Sequence, residues 1–363
     1  MIIECSDGDR RLTGVPELTA RPPLEPQRHV VGRHSTLVAD PARDGRLLGV
    51  DLWYPALDPA DDDLTALEKA RYELFPGVSF ESAGALHEPP ARAGKFPLIV
   101  FSHGRTGTRF SYSLVCEALA ARGSIVVACD HPGDALSDWL LGTNVDDRTN
   151  EVNRVADAHL LVHAMVHGHP SIGVGVLNAV DHDCVVIMGH SYGAYTALAT
   201  VAGARGVAAH DRVHAVVCFQ PYTRNISDTL LGRVTMPTLL VVSDDDRSTP
   251  PATDADRPWA LVRGTPTWRL DLAGAGHQAI SDIALYAELV EHVEGIPDIV
   301  RQYLAATSAE AAAAGTMSWR DLMRTQLEVA WAFLDLVLDL DVDRGMASLA
   351  AIEQMSGVVL RRR

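Results

Sequence analysis

The sequence predicts an α/β fold, with helices on both faces of a mostly parallel eight-stranded sheet and no large cap domain. Strand-like runs alternate with helical patterns through most of the chain, which is typical of doubly wound sheets. Several runs are uncharged and rich in branched side chains, such as Leu-Ile-Val-Phe at residues 98–101, and such runs are typical of strands buried on both faces. A Gly-His-Ser-Tyr-Gly sequence at residues 189–193 follows one such run and precedes a helix-prone segment. Functional residues are therefore expected at the carboxyl ends of the parallel strands, where ligands bind in open α/β sheets.

The predicted elements begin after a polar, proline-rich N-terminal arm, residues 1–28. Residues 29–38 and 46–54 are strand-like, and the Pro-Ala-Arg-Asp-Gly turn between them predicts a hairpin. Six parallel strands are predicted at residues 96–102, 124–129, 184–188, 213–219, 238–243 and 267–272. Helical patterns are found at residues 110–122, 150–167 and 191–202.

Residues 29–345 are predicted to form one domain that carries two additions. The first, residues 56–95, is polar and irregular, which favours a surface excursion over a flap above the active site. The second, residues 282–316, is a helical insertion, and the amphipathic segment 317–340 after it is expected to be the last core helix. Residues 346–363 are expected to be a C-terminal tail. The short connection at residues 220–237 leaves no room for a large cap.

Composition and charge exclude several classes of function. The chain has 363 residues and a formal net charge of −16, which argues against nucleic-acid binding and against adhesion to anionic membranes. No uncharged apolar run approaches the roughly 20 residues needed to span a membrane. The N-terminal residues lack a signal-peptide pattern, so a cytoplasmic location is expected. The five cysteines have no framework spacing, and the sequence does not define an oligomeric state.

The Gly-His-Ser-Tyr-Gly sequence is the nucleophile elbow motif in its strand-turn-helix context. Glycines are needed on both sides of the serine because the tight turn excludes bulky side chains. The motif therefore predicts a nucleophilic Ser191 at the carboxyl edge of the sheet, with a structural turn serine as the alternative.

A serine hydroxyl needs a general base, and the base needs an acid that orients it. In this type of site the acid and then the histidine follow the serine in the chain. The strand at residues 238–243 is followed by Asp244, Asp245 and Asp246, and we expect Asp246 to be the acid, with Asp244 as the next candidate. His277 follows the next strand behind a glycine-rich loop, which predicts that it is the base.

The oxyanion hole is expected to use two backbone N–H groups. One is that of Tyr192, directly after the nucleophile, and the other is that of Arg105, in the loop after the strand at residues 96–102. The Arg105 guanidinium either lines the pocket or is solvated. His103, Trp139 and Tyr222 are the further candidates for substrate binding.

No metal or cofactor is predicted. His159, His163 and His167 have the helical spacing of some zinc ligands, but they lack an accompanying glutamate motif, which favours a solvated helix face. No strand is followed by a P-loop or a dinucleotide fingerprint. The predicted partner is therefore a small ester or acyl substrate.

These motifs resemble the platelet-activating factor acetylhydrolase and predicted dienelactone hydrolase branch of the α/β-hydrolase superfamily. The resemblance covers roughly residues 30–340 and depends on four sequence features. They are Phe-Pro-Leu-Ile-Val-Phe-Ser-His-Gly at residues 96–104, Arg-Gly at 122–123 with Asp-His at 130–131, the elbow at 189–193, and Gly-His-Gln at 276–278. The resemblance implies a Ser-His-Asp esterase that removes short or modified acyl groups without a cofactor.

The chain departs from that branch at two points. Acetylhydrolases carry their acid after the strand that here ends at Phe219, but Gln220-Pro221 follows, which moves the predicted acid one strand later, to Asp246. Dienelactone hydrolases proper use a cysteine where this chain has Ser191. The first departure argues against a phospholipid substrate.

The sequence thus predicts a serine hydrolase that cleaves carboxylic esters through an acyl-enzyme on Ser191. The same residues are also compatible with an acyltransferase, a thioesterase or an amide hydrolase in a biosynthetic pathway. A catalytically inactive hydrolase fold that serves as a binding protein is the remote alternative.

Overall fold

The computed structural model describes residues 10–11, 29–58, 67–75, 78–291, 293, 296–313 and 317–363. Within these residues, twelve strands form one mixed sheet in the order β1-β5-β2-β3-β7-β6-β8-β9-β10-β11-β12, and β4 pairs with β5. The strands are β1 Arg10–Arg11, β2 Val30–Asp40, β3 Arg46–Ala56, β4 Lys69–Phe75, β5 Val78–His87, β6 Phe96–Ser102, β7 Ile125–Cys129, β8 Val180–His190, β9 Ala215–Phe219, β10 Thr238–Ser243, β11 Thr267–Leu272 and β12 Val358–Arg362.

Helices pack on both faces of the sheet. They are α1 Ser113–Ala121, α2 Leu136–Leu141, α3 Asp147–His167, α4 Val174–Ala179, α5 Tyr192–Ala202, α6 Asp228–Leu231, α7 Pro251–Asp254, α8 Asp256–Leu261, α9 Ile283–Glu291, α10 Asp298–Ser308, α11 Trp319–Val337 and α12 Val342–Ile352. The amphipathic segment predicted at residues 317–340 forms α11, but it is not the last core helix, because α12 follows it and buries Leu349 and Ile352 in the same core. The helical insertion contains α9 and α10, and part of it, at residues 292, 294–295 and 314–316, lies outside the described residues.

Strands with uncharged runs, such as residues 98–101 of β6, lie at the centre of the sheet, as predicted. Strands β7, β6, β8, β9, β10 and β11 are parallel neighbours, and the hairpin of β2 and β3 continues the sheet antiparallel to β7. Alternate residues of β6 enter opposite cores: Ile99 and Phe101 pack under α1 and α11, while Leu98 and Val100 pack under α3 and α5. Both faces of β6 are therefore buried, which explains why residues 98–101 are all apolar.

The predicted count of eight strands was wrong because four edge strands were missed. Two of them, β4 and β5, form a hairpin inside residues 56–95, the segment expected to be an irregular excursion. The hairpin joins the sheet beside β2, and its Tyr72 is fully buried, with its hydroxyl accepting a 2.8 Å hydrogen bond from Trp53 Nε1. Polar residues alternate with apolar ones here because only one face of an edge hairpin is covered.

The C-terminal tail was also predicted wrongly. Strand β12 pairs antiparallel with β11, and α12 precedes it on the same edge of the fold. The basic residues at the terminus belong to this edge strand, where Arg361 Nη1 lies 2.8 Å from Asp271 Oδ2. The fourth missed strand, β1, lies in the predicted N-terminal arm, the rest of which lies outside the described residues.

The connections after the parallel strands bring the site together. The loop that contains Arg105 follows β6, Ser191 follows β8, Asp246 follows β10 and His277 follows β11. All four strands point the same way, so these residues meet at one edge of the sheet. In the part of the chain that the structure describes, no helix is long and apolar enough to cross a membrane.

Candidate active site

Ser191 occupies a strained turn between β8 and α5. Its φ of 54° and ψ of −115° lie where residues other than glycine are rarely found. Crowding explains both flanking glycines: a Cβ on Gly189 would lie 2.2 Å from the Gly193 carbonyl oxygen, and one on Gly193 would lie 1.9 Å from that of Ser102. The Ser191 amide donates to the Phe219 carbonyl at 2.9 Å, which fixes the turn to β9.

His277 and Asp246 continue from the serine as one hydrogen-bonded chain. Ser191 Oγ lies 3.0 Å from His277 Nε2, and His277 Nδ1 lies 2.8 Å from Asp246 Oδ2. Asp246 Oδ1 accepts the backbone N–H groups of Ser248 and Thr249. Burial opposes the charge on Asp246, but its hydrogen bonds with His277 and Thr249 lower its pKa below the ordinary value. The carboxylate is therefore ionised and aligned with the ring.

The other two candidate acids make different contacts. Asp244 Oδ1 accepts the Gly274 amide at 2.7 Å, which braces the loop that carries the histidine. Asp245 is exposed and lies 3.8 Å from the guanidinium of Arg247. Of the three consecutive aspartates, the structure brings Asp246 to His277.

A cavity of about 600 Å³ opens over Ser191 and His277. Its walls also include Arg105, Tyr192, Trp139 and Tyr222, four of the residues predicted to surround the substrate. Most of the remaining wall is apolar. It includes Leu74, Phe110, Leu136, Ile283, Tyr286 and Leu304.

The helices α2 and α10 both line this cavity. Trp139 of α2 stacks on Tyr303 of α10, with ring centroids 5.9 Å apart, and both rings are partly exposed. Sequence analysis found Trp139 but missed Tyr303, because α10 belongs to an insertion whose position could not be inferred from its pattern. From the hairpin in residues 56–95, Leu74 lines the cavity.

Arg105 lies on the loop after β6, beside the serine. Its guanidinium lies 5.0 Å from the centroid of the Tyr192 ring and pairs with Asp147, which also lines the cavity. The sequence left open whether this side chain lines the pocket or is solvated; it lines the pocket and is about half exposed. The roles of the Arg105 and Tyr192 amides in an oxyanion hole remain predictions.

His103 lies behind the cavity wall, which argues against the predicted substrate contact. Its ring is 1% exposed, and its Nδ1 lies 2.6 Å from the Gly104 carbonyl oxygen. Its Nε2 accepts the backbone N–H of His131 at 3.2 Å. Burial and the nearby Arg154 hold the His103 pKa well below its ordinary value, so the ring is neutral. The ring thus braces the loop that carries Arg105.

Sequence reasoning missed a second Ser-His-Asp chain beneath that loop. Ser102 Oγ lies 2.9 Å from His131 Nε2, and His131 Nδ1 lies 3.0 Å from Asp157 Oδ2. No more than 2% of any of the three residues is exposed. The Asp-His pair at 130–131 was noted only as part of a family resemblance, and nothing in the spacing indicated that α3 would supply Asp157.

The histidines with zinc-like spacing lie on α3 away from the cavity. His159 packs edge-on against His210, and His163 packs on His167, each pair with ring centroids 4.7 Å apart. Among the described residues, no group of three or more His, Cys, Asp or Glu side chains could hold a metal ion.

Comparisons with known proteins match parts of the chain. The family model of platelet-activating factor acetylhydrolase, isoform II, matches residues 79–156, which include the loop with Arg105 but not the elbow. The Bos taurus platelet-activating factor acetylhydrolase is 25% identical over 245 residues, which cover 53% of this chain and 54% of the bovine protein. The chain resembles the platelet-activating factor acetylhydrolase branch of the α/β-hydrolases.

Two further acetylhydrolase and phospholipase relatives align over shorter spans. The Canis lupus familiaris acetylhydrolase is 24% identical over 194 residues, 43% of this chain and 42% of that protein. A putative phospholipase A2 of Schizosaccharomyces pombe is 44% identical over 48 residues, 13% of this chain and 11% of that protein. The chain therefore matches about half the length of these curated relatives or less.

A solved structure matches most of the length of this protein. The ferulic acid esterase from Streptomyces cinnamoneus aligns with a TM-score of 0.61 and 22% sequence identity. The alignment covers 86% of this chain and 90% of that one, which shows that the two share a fold.

Proposed function

We propose that this protein is a serine esterase that cleaves carboxylic esters through an acyl-enzyme on Ser191. The observation that carries the proposal is the chain Ser191–His277–Asp246, with distances of 3.0 and 2.8 Å, at a strained turn on the wall of a cavity. The names of the acetylhydrolase and esterase relatives support an ester substrate.

In the proposed mechanism His277 Nε2 removes the proton of Ser191 as the oxygen attacks the ester carbonyl. The backbone N–H groups of Arg105 and Tyr192 stabilise the oxyanion of the tetrahedral intermediate. His277 then donates its proton to the leaving alcohol, and water releases the acyl group by the same steps. Asp246 holds the proton of the ring on Nδ1 and stabilises the imidazolium.

The cavity indicates the general character of the ester. Its apolar wall favours a substrate with a sizeable apolar group, because burying that group against Leu74, Phe110 and Tyr286 supplies binding free energy. The Arg105–Asp147 pair places charged groups at one side of the same cavity. We propose a small-molecule ester with one apolar part.

The test combines active-site labelling with an ester panel. Wild-type protein is incubated with a fluorophosphonate probe, and hydrolysis of p-nitrophenyl acetate, butyrate and octanoate is measured. We expect labelling that the Ser191→Ala variant lacks, and a kcat/KM that rises from acetate to the longer esters. Labelling that persists in Ser191→Ala, or an unreactive wild type, would overturn the proposal.

A parallel assay with acyl-thioesters and with alcohol or amine acceptors separates hydrolysis from acyl transfer. Water as the preferred acceptor is the expected result. A dominant transfer product would replace the esterase by an acyltransferase that uses the same nucleophile.

A further inference from the structure

The histidine of the elbow, His190, is buried beneath the candidate catalytic base. Its ring is 1% exposed and lies 4.7 Å from the ring of His277, centroid to centroid. Its Nε2 lies 2.7 Å from the backbone carbonyl oxygen of His277, and its Nδ1 lies 2.7 Å from the hydroxyl oxygen of Tyr112. The Gly104 amide donates to that same hydroxyl at 3.2 Å. One ring thus connects three loops of the site.

The hydrogen bonds that connect His277, His190, Tyr112 and Gly104 have one consistent assignment of protons. Burial and the neighbouring His277 lower the pKa of His190 to about 3, so its ring is neutral and carries one N–H. A carbonyl oxygen can only accept, so the proton lies on Nε2 and Nδ1 must accept from Tyr112. The Tyr112 oxygen then accepts the Gly104 amide. The pKa of Tyr112 is raised by burial, so its hydroxyl keeps the proton that it donates.

We propose that His190 is a positioning residue that ties the backbone of the loop carrying His277 to the nucleophile elbow. This inference rests on the proposed esterase function of Ser191. Asp246 orients the His277 ring from one side. His190, the residue directly before Ser191, holds the His277 backbone. Tyr112 donates to Nδ1 of the tautomer that makes this bond, and its hydroxyl connects His190 to the loop that carries Arg105.

The loop that carries His277 has a second support. His190 is therefore expected to set the position of the His277 ring, and not to hold the loop in place by itself. The Gln278 amide donates to the Glu310 carbonyl at 2.9 Å, and the Gly276 amide donates to the Ala311 carbonyl at 3.2 Å. These bonds connect the loop to the residues that follow α10. Loss of the His190 bond therefore leaves the loop in place but lets the ring shift relative to Ser191.

The first experiment compares His190→Phe with His190→Gln. Phenylalanine removes both ring nitrogens, and we expect kcat for p-nitrophenyl butyrate to fall about 100-fold, with KM changed less than threefold, because a displaced base slows the chemical step. Glutamine places an amide N–H near the position of Nε2 and can donate to the His277 carbonyl. It is expected to recover at least a tenth of the wild-type kcat.

The second experiment uses Tyr112→Phe with Tyr54→Phe as its matched control. Both remove one hydroxyl from a buried tyrosine, but the Tyr54 hydroxyl donates to the Pro89 carbonyl at 2.8 Å, outside the site. We expect Tyr112→Phe to lower kcat about tenfold, because His190 Nδ1 then loses its buried hydrogen-bond partner and the ring is held less firmly. Tyr54→Phe is expected to keep wild-type kcat with a similar loss of Tm.

The rate of fluorophosphonate labelling separates failure of this inference from failure of the esterase proposal. Wild type that labels at Ser191, together with His190→Phe that labels and turns over at the rate of Tyr54→Phe, overturns the positioning role alone. A fall in KM and kcat together, without recovery in His190→Gln, also overturns it. Wild type that does not label overturns the esterase proposal first.

Discussion

Two Ser-His-Asp chains lie at the same edge of this sheet and have nearly the same geometry. In the first, the serine-to-histidine and histidine-to-aspartate distances are 3.0 and 2.8 Å, for Ser191, His277 and Asp246. In the second they are 2.9 and 3.0 Å, for Ser102, His131 and Asp157. Hydrogen-bond distances alone therefore do not distinguish a candidate catalytic chain from a structural one.

Access and backbone conformation distinguish them. Ser191 lines a cavity and lies at a turn with φ of 54°, which aims its oxygen away from the sheet. Ser102 is the last residue of the regular strand β6, and its side chain is buried beneath the loop that carries His103. No substrate carbonyl can reach the second oxygen without unfolding this part of the sheet.

The surrounding charges also differ. Asp157 pairs with Arg43 at 2.7 Å and with Arg46 at 2.9 Å, and Arg154 lies beside Ser102 and His103. Burial and Arg154 lower the pKa of His131 to about 4, so this ring resists the positive charge that a general base must acquire. A general base must be able to accept a proton and become positively charged, whereas a structural histidine is more useful when it stays neutral.

The largest expected difference comes from removing each serine hydroxyl. Ser191→Ala should lower kcat for p-nitrophenyl butyrate about 10⁶-fold, because the nucleophile is lost. Ser102→Ala should keep kcat within about tenfold of wild type and lower the free energy of unfolding by about 1 kcal/mol, because His131 loses a buried partner. Steady-state kinetics and urea unfolding measure both. A catalytic collapse in Ser102→Ala with retained folding would contradict the comparison.

The next largest effect separates the acids. Asp246→Asn should lower kcat about 10⁴-fold, because an amide in that place favours the wrong tautomer of the base. Asp244→Asn is its matched control, since it keeps an oxygen that can accept the Gly274 amide, and it should retain kcat within about twofold. The outcome against this assignment is an active Asp246→Asn beside an inactive Asp244→Asn.

Sequence patterns were sufficient to select Ser191, His277 and Asp246 as the candidate catalytic chain, because each member has a local signature. Ser191 lies in a five-residue motif, Asp246 follows a buried strand, and His277 follows the next strand behind glycines. Parallel strands of one sheet bring their carboxyl ends to one edge, so local signals determined a long-range arrangement. The buried chain lacks this advantage, since Asp157 comes from the middle of α3 and its partner depends on how the helix packs.

The fold was predictable where burial on both faces removes charged residues, as in β6, β7, β9 and β10. It was not predictable at the edges, where β4 and β5 mix polar with apolar residues and β12 is short. A pattern such as Val-Val-Leu-Arg-Arg in β12 contains too few residues to separate an edge strand from a tail. The contribution of α10 to the cavity was also missed, because the position of this helix depends on tertiary contacts.

The Asp157→Asn and Asp246→Asn variants should rank in opposite orders for loss of stability and for loss of kcat. Asp157→Asn is expected to lower the free energy of unfolding by about 3 kcal/mol, because Arg43 and Arg46 lose a buried carboxylate. Its kcat at 15 °C, where the variant stays folded, should remain within about tenfold of wild type. Asp246→Asn, which no arginine contacts directly, should lose about 1 kcal/mol. Urea unfolding of both variants measures this, and equal losses would remove the distinction.

The smallest expected effect is a difference in pH dependence that arises from His131. The ring stays neutral in the folded protein down to about pH 4, whereas an unfolded histidine titrates near 6.5. Its neutral form therefore contributes stability that is fully present above pH 6.5 and is lost as the pH falls toward 4. Between pH 7 and 5, wild type should lose about 2 kcal/mol more free energy of unfolding than His131→Asn, which has no ring to titrate.

Urea unfolding of wild type and His131→Asn at pH 7, 6 and 5 measures this difference. The variant keeps His190, so the titration of that buried ring cancels when the two proteins are compared. Parallel stability curves would mean that His131 accepts a proton as readily as an exposed ring does. In that case burial and Arg154 would not keep the ring neutral, and access to substrate would be the main difference between the two chains.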